Sequence, residues 1–566
     1  MSPATPISPE RGPRRLRVAV LVESWTVPAA VARAINLVAA APVDLVGIHV
    51  QPPTRRRSLA ARLADVADWA DRAIFRPAPD ALRPVALDQI PGDRIGTSSE
   101  RASRTAFGDL DVLLDLTNEG FTAPAGAAPR LGTWTLRHGD QHLPLSRATF
   151  AREFARGSDF AITELIADGE APARAPGARS REVRVLYRSV GAMDRHSPAR
   201  TRNAAAWKSA EFPARVLAVL ATGDGPAVVE PWPDRRRGGG PIAATDVIRL
   251  VGTVVTRGLQ EAARRLVARP CWFVAIRAGR PESSTGWPPD LRGFRPLAAP
   301  AGRFFADPFV VRNADDVQLF VEDAPIGGGP GRIATLALDH SGRVRSGPLV
   351  VLERPTHLSY PFVFADGGDW YMLPETAGTG TVELFRARHF PDEWELVAVL
   401  LRDIRAADPT LVRHDGRYWL FAAVAALGAN PSDELCIYWS ETLAGPWHPH
   451  RQNPVVSDAR RARPAGRILV SGDSLVRPAQ DCTGGYGRRI VLNRIDVLSP
   501  DEYREVPIGT IEPRAFAGVL RTHTYAVDDG IEALDGLRYE PRRWRHHSSY
   551  GTGRRRADCA GRSAER

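Results

Sequence analysis

Residues Arg303 to Asp323, RFFADPFVVRNADDVQLFVED, decide how the rest of the chain is read. Two apolar runs flank a polar turn, so the segment predicts an antiparallel strand pair. Its opening, Ala306-Asp307-Pro308 ahead of FVV, returns in altered form at Tyr360-Pro361, Ala407-Asp408-Pro409, Arg463-Pro464 and Thr522-His523. The separations are 53 (307 to 360), 48 (360 to 408), 55 (408 to 463) and 59 (463 to 522) residues.

A repeat of about 50 residues holding several short strands predicts a β-propeller, because one four-stranded blade buries its faces only against neighbours. Five starts give five blades, and Cys271 to Arg277, CWFVAIR, is placed to supply the strand that closes the ring. Residues at equivalent starts then converge on one mouth of a central funnel. Asp307, Tyr360, Asp408, Arg463 and His523 are therefore expected to face one another. The aromatics Trp370, Tyr418, Trp419, Trp439 and Trp447 read as blade core.

Upstream the pattern changes. A β-branched run at Arg17–Glu23, an apolar helix pattern at Ala29–Ala40 behind a Ser24 or Thr26 cap and Pro28, and a second run at Val43–Val50 predict a parallel βαβ unit. Further strands are expected at Asp111–Leu116 and in LGTWTLRHGD, Leu131–Asp140, which carries His138. No GxGxxG follows the first strand, so dinucleotide binding has no support. The fold class is thus multidomain, an N-terminal α/β domain with a parallel sheet followed by an all-β five-bladed propeller. The expected organisation is disorder over 1–14, the α/β domain over 15–220, a Gly/Pro/Arg-rich linker over 221–243, a connecting helix over 244–268, the propeller over 269–540 and a basic disordered tail over 541–566. In the connecting helix, capped at Thr245, the face of Ile248, Val251, Val255, Leu259 and Leu266 is expected to pack on a domain rather than a membrane.

The 566 residues are 43% hydrophobic and 25% charged, as in an ordinary soluble globular protein. Net charge is +10, carried by arginine, with Lys208 the sole lysine. No basic stripe with interleaved aromatics argues for nucleic acid. Four scattered cysteines, without CxxC or Cys/His spacing, indicate neither a zinc site nor a disulfide framework and fit a reducing compartment. With no signal-peptide pattern and no apolar run of ~18 residues, the expected location is the cytoplasm, with peripheral membrane contact open to the basic tail.

The ordered set RFFADPFVV, YPFVF, MLPET, ADPTLV, GRYWLF, GPWHPHRQNPV, ARPAGR and LVRPAQDCTGGYG, over about residues 270–540, resembles the N-terminal domain family of the plant glucosamine inositolphosphorylceramide transferases. More broadly it resembles the five-bladed fold of glycoside hydrolase family 43. That broader resemblance implies a base at Asp307 and a pKa-tuning carboxylate at Asp408, but Arg463 stands where the family's acid would be. Arginine cannot donate a proton near neutral pH, so Glu322, Glu375 and Asp473 become candidate acids. Arg463, Arg477 and His523, with Tyr360, Gln480 and Asp481, are candidate substrate contacts; positive charge beside carboxylates suits transfer from a phosphate-activated sugar. The reading is a glycosyltransferase of cell-surface polysaccharide or glycolipid assembly using an activated sugar donor, with no metal ligand set evident. A family 43-like hydrolase and a non-catalytic glycan-binding scaffold are the alternatives. The N-terminal domain resembles the formyltransferase-like fold through its strand order and His138-Gly139, with Leu136 where that family has asparagine.

Overall fold

Two periodicities divide the computed structural model, which describes residues 15–541 apart from 54–57, 88–108, 119–127, 140–144, 171–180, 224–242, 279–290, 314–315, 473, 514–517 and 529. The expectations for residues 1–14, most of the linker, Asp473 and the tail beyond Pro541 fall outside the described residues. The N-terminal part is a six-stranded sheet in the order Asp44–Val50, Arg17–Val22, Val112–Asp115, Thr133–His138, Phe160–Glu170, Arg181–Ala192. Its first four strands are parallel, and the last two are added by antiparallel pairings, so that only Phe160–Glu170 runs against the rest. Helices Ala29–Ala40 and Phe212–Ala221 cover it, with Ile35, Val38, Phe212 and Val216 in one buried cluster with Val18, Val20 and Trp134. The first helix takes Pro28 as its N-cap without a side-chain cap; the Ser24 hydroxyl bonds within its own turn, to Thr26, instead.

Five antiparallel sheets follow, one per blade. Their innermost strands are Arg303–Asn313, Ser359–Asp366, Ala406–His414, the short Arg463–Pro464, and Tyr525–Asp528. The ring closes as expected from CWFVAIR: strand Ala268–Ala278 pairs with Ile531–Pro541 along its whole length, tying the two ends of the propeller sequence into blade five. Trp370 stacks on Phe390, which packs against Phe320 of blade one; Tyr418 and Trp447 pack in the core between blades two and three, and Trp419 and Trp439 in that between three and four.

The inner strands of blades one to three share one anomaly. Asp307, Tyr360 and Asp408 have φ of 48°, 47° and 52°, each directly before a proline. A residue before proline ordinarily extends, and a left-handed conformation there costs about 1–3 kcal/mol. At each, the pairing with the second strand slips by a bulge, between Ala306 and Phe309, Ser359 and Phe362, and Ala407 and Thr410. The bulge turns both the side chain and the backbone N–H of that residue toward the funnel.

The α/β domain is seated on blades three and four. Lys208 donates to Asp433 Oδ2 at 2.5 Å, both side chains essentially excluded from solvent. Asp433 Oδ1 also accepts the Ala192 N–H at 3.1 Å. Beside them Arg215 forks onto Glu434 at 2.7 and 2.9 Å. The last strand of the α/β sheet continues into the propeller through a bridge between Val190 and Asp458. Gly428, at φ 72°, lies so close to the Trp207 indole that a Cβ would meet it at 2.3 Å.

Helix Ala244–Val267 corrects one expectation. Its N-cap is Ala243, whose N–H bonds to Asp246 Oδ2 at 3.0 Å, rather than Thr245. The stripe expected to pack is the one left in solvent: Ile248, Val255, Leu259 and Leu266 are 53–68% exposed. Two apolar stripes run along this helix, and Leu250 and Val254, on the other one, dock onto Phe150 and Phe154. Among the described residues no helix is long and apolar enough to cross a membrane.

The buried ion pair gives a direct test of the seating. Lys208→Met strands the Asp433 carboxylate in a dry interface and should cost about 3–5 kcal/mol in denaturant unfolding, whereas the double variant Lys208→Met/Asp433→Leu should recover most of the loss.

Candidate active site

The three bulges and the fifth blade bring the predicted residues into one buried cluster. The Asp307 N–H donates to Asp535 Oδ2 at 3.2 Å, the Tyr360 N–H to Asp307 Oδ2 at 3.2 Å, and the Asp408 N–H to Glu375 Oε2 at 3.2 Å. Each amide turned inward by a bulge is thus taken by a carboxylate of the preceding blade. Tyr360 is itself fully buried and serves as a brace: its hydroxyl accepts the Gly466 N–H at 2.8 Å and meets Thr410 Oγ1 at 2.8 Å.

His523 bridges two carboxylates, with Nε2 3.1 Å from Asp307 and Nδ1 2.8 Å from Asp535. Burial opposes charge on this ring, but Asp535 and Asp307 outweigh it and hold the imidazole well above the ordinary histidine range, so it is an imidazolium. Burial likewise opposes ionisation of Asp307, yet His523 and the 2.7 Å bond from Thr524 Oγ1 keep its carboxyl below the usual range. The ligand atoms of Asp307, His523 and Asp535 lie within 4.8 Å of one another, an arrangement that could hold a small cation. Here the protonated imidazole itself balances the two acids.

Across the funnel Arg463 forks onto Asp408, Nε at 2.6 Å and Nη2 at 3.1 Å, and reaches Glu375 at 3.3 Å. Gln480 adds a bond to Asp408 at 2.8 Å. Burial works against the Arg463 charge, and Asp408 with Glu375 more than offsets it. For Asp408, burial pushes the carboxyl up and Arg463 opposes, while Glu375 and Asp307 add to the rise, so it lies well above the usual carboxylate range although its two oxygens take the Arg463 fork. The Tyr486 ring caps this pair, 4.9 Å from the Arg463 guanidinium and 5.0 Å from His523.

Glu322 differs from its neighbours. It is buried, with His357 Nε2 3.5 Å from its Oε1. Burial first, then the like charges of Asp307, Glu375 and Asp535, push it far above the ordinary glutamate range. His357 Nδ1 accepts the Gly331 N–H at 2.8 Å, so a neutral ring carries its proton on Nε2, toward Glu322. Five acids against two cations leave the cluster with a surplus of carboxyl groups, and Glu322 and Asp408 are the two whose surroundings favour the protonated form, Glu322 without an arginine to oppose it. Glu375 keeps one oxygen, Oε1, to which no described residue donates.

Arg477 and Asp481 are engaged elsewhere. Arg477 is braced inside blade four by Glu505, at 2.7 and 2.9 Å, and Asp481 accepts from Thr483 and Arg489. Asp535, Thr524, His357 and Tyr486 are the members that sequence reasoning did not single out. Asp535 carried the clearest signal, an acid between Leu534 and Gly536 on the strand that pairs with the closing strand. In the α/β domain, His138 sits at the end of a parallel strand, 3.4 Å from Ser209 Oγ, on a cavity of about 100 Å³ also lined by Glu23, Asp115, Asn118 and Leu136.

The class is therefore a five-bladed propeller with a buried carboxylate, arginine and imidazolium cluster in its funnel. Residues 296–517 match the family described as glucosamine inositolphosphorylceramide transferase 1, N-terminal. Curated proteins named glucosamine inositolphosphorylceramide transferase 1 from Oryza sativa subsp. japonica and Arabidopsis thaliana are each 38% identical over 208 residues. Those residues are 36% of this chain, and they span only 28% and 27% of the respective relatives' lengths. The matched family segment contains Asp307, Glu322, Glu375, Asp408, Arg463 and Tyr486, whereas His523 and Asp535 lie beyond it. Among solved structures, a family 117 glycoside hydrolase from Zobellia galactanivorans (11% identity, 47% of this chain and 90% of that one) and an exo-β-1,3-galactanase from Clostridium thermocellum (17%, 41% and 59%) both align with a TM-score of 0.32.

The protonated state of Glu322 has a signed consequence. An acid whose folded pKa is raised binds more protons when folded, so its contribution to stability declines as pH rises from about 4.3 through the folded value. Glu322→Gln, which mimics the protonated side chain, should remove that decline. Its denaturation midpoint should move up relative to the parent by ~1.4 kcal/mol for each pH unit of the window; parallel pH profiles for the two proteins would show Glu322 ionised.

Proposed function

We propose that the propeller transfers a sugar from a phosphate-activated donor to an acceptor hydroxyl in glycolipid or cell-surface glycan assembly, with the reaction in the funnel. The observation that carries this reading is that the segment matching the family described as glucosamine inositolphosphorylceramide transferase 1, N-terminal, contributes four of the five acids and the arginine that the fold gathers into one buried cluster. The bond from the sugar's anomeric carbon to the donor phosphate breaks as the bond to the acceptor oxygen forms. Glu375, with an open oxygen, takes the acceptor proton, and Glu322, holding a proton, donates a hydrogen bond to the leaving oxygen. Asp307, kept below the usual carboxylate range by His523 and Thr524, is the anion that stabilises positive charge developing on the sugar ring. Arg463 keeps Asp408 oriented rather than meeting phosphate itself, since its fork is already occupied.

One observation favours hydrolysis as a second reading: a protonated Glu322 whose pKa is raised in part by nearby Asp307 matches the acid and carboxylate pairing that glycoside hydrolysis uses. Incubation with a panel of nucleotide sugars and glycan or lipid acceptors separates the two. Transfer releases nucleotide with a glycosylated acceptor, hydrolysis releases reducing sugar alone, and glycan binding without turnover would leave a scaffold. Asp307→Asn and Glu375→Gln are each expected to lower turnover by about 10²–10⁴-fold with the fold intact; full activity in both would move the reaction out of the funnel.

A further inference from the structure

We infer that Tyr486 contacts and positions the sugar ring at the funnel's carboxylates, and that the α/β domain takes part in the reaction by holding, through Asp159, the loop that carries this tyrosine. The inference rests on the funnel as the site of the reaction. It adds a specificity-determining contact and a task for the N-terminal domain.

Tyr486 is the one aromatic of the connection Cys482–Arg488, CTGGYGR, between strands Ser474–Asp481 and Arg489–Leu498 of blade four. Two of its glycines show how tightly this loop is pressed between neighbours. At Gly484, φ 66°, a Cβ would meet Asp159 Oδ1 of the α/β domain at 2.5 Å. At Gly487, φ 64°, it would lie 2.8 Å from the His523 Cβ on the blade-five side. Side chains have been removed where the loop touches each domain, and the tyrosine is kept between them.

Hydrogen bonds fix the same arrangement. The Gly484 N–H donates to the Asp159 carbonyl at 2.9 Å, and Arg488 Nη1 to Asp159 Oδ2 at 3.0 Å. The Asp159 carbonyl also takes the Met193 N–H at 3.1 Å, which ties the clasp to the antiparallel end of the α/β sheet. From the propeller, Arg521 Nη1 donates to the Tyr486 carbonyl at 2.7 Å. The loop therefore takes its position from both domains, and Asp159 is its anchor on the α/β side.

Tyr486 stands where a ligand would enter the funnel. The residue is 39% exposed and lines a cleft of about 430 Å³ between the α/β domain and the propeller, while its ring reaches both funnel cations. Tyr360, Tyr503 and Tyr525 of the propeller each bond a protein partner through the hydroxyl, to Thr410, Glu505 and Glu532. Burial first, then Asp408, Asp307 and Glu375 against an opposing Arg463, hold the Tyr486 phenol well above its ordinary range, so it keeps its proton and donates. Arg463 and His523 are committed to carboxylates. A funnel with surplus acid repels an anionic group, whereas a neutral pyranose offers hydroxyls to the acids and to the phenol, and a C–H face to the ring.

Calorimetry on the full chain with UDP-glucose, UDP-N-acetylglucosamine, UDP and the methyl pyranosides of both sugars tests the contact without needing turnover. The parent is expected to bind at least one of the sugar ligands. Tyr486→Phe should weaken that binding about threefold through the lost hydroxyl, and Tyr486→Ala about tenfold through the lost ring as well, with UDP unchanged. Asp159→Ala should weaken sugar binding about threefold in the parent and have no further effect in Tyr486→Ala, because residues acting through one contact do not add. Asp159→Asn, which keeps an oxygen for Arg488, should restore the parent affinity. A parent that binds none of the sugars, unchanged affinity in Tyr486→Ala, an equal loss for UDP, or an Asp159 effect that adds to that of Tyr486 would overturn the inference. Tyr486-dependent sugar binding without nucleotide release sinks the transfer reading and leaves this contact standing; nucleotide release that Tyr486→Ala leaves untouched does the reverse.

Discussion

The funnel rests on three residues forced into left-handed backbone immediately before proline. At Asp307, Tyr360 and Asp408 the chain takes a conformation that proline disfavours in its predecessor, and the strain is held by what the bulge releases. Each freed N–H is captured by a carboxylate of the blade before it, from Asp535 to Asp307, from Asp307 to Tyr360, and from Glu375 to Asp408. Because these bonds cross blade boundaries, the conformation of each inner strand depends on its neighbour being in place. Ring closure through Ala268–Ala278 completes that dependence, since Asp535 lies on the strand it pairs with.

The same geometry explains the charge distribution. Structural capture of amide groups needs carboxylates in the funnel, and a funnel full of carboxylates is intolerable without cations. Arg463 and His523 supply them at opposite sides, and each is tied to a pair of acids: Asp408 and Glu375, or Asp307 and Asp535. Glu322 belongs to neither pair and so keeps a proton. An arginine at the fourth blade's start, unexpected for a hydrolase, is therefore a necessity of this arrangement: without it Asp408 and Glu375 would face one another with only Gln480 and one amide between them.

What was legible in the sequence follows from which forces act locally. The x-Pro spacing marked four of the five inner strands, the period alone placed the fifth at Thr522-His523, and an apolar run with no partner of its own marked the closing strand, because these are imprinted by strand patterning and turn chemistry. The left-handed backbone was not legible, since local rules predict extension before proline and only the ring of carboxylates overrides them. Arg477 and Asp481 read as site residues because they sit near Gln480 in sequence. On a strand, alternate side chains face opposite ways, and their partners Glu505 and Arg489 come from the next strands outward. The helix at Ala244–Val267 misled for a different reason: it has two apolar stripes, and hydrophobic periodicity cannot say which of them meets protein.

The sole lysine shows how demanding the domain interface is. In a chain whose other basic residues are all arginine, the ammonium at 208 sits where a Cβ on Gly191 would lie 3.0 Å from both its Nζ and Asp433 Oδ2. A guanidinium there would bring five donors into a space with one carboxylate oxygen to spare, leaving several buried and unbonded. A compact ammonium brings three donors rather than five and makes a short bond to Asp433, and it does so at the loop carrying Asn430 and Ser432, which lines a cleft of about 430 Å³ between the α/β domain and the propeller. The seating of the α/β domain on blades three and four thereby sets the distance between Arg195 on one domain and Arg521 on the other, across that cleft.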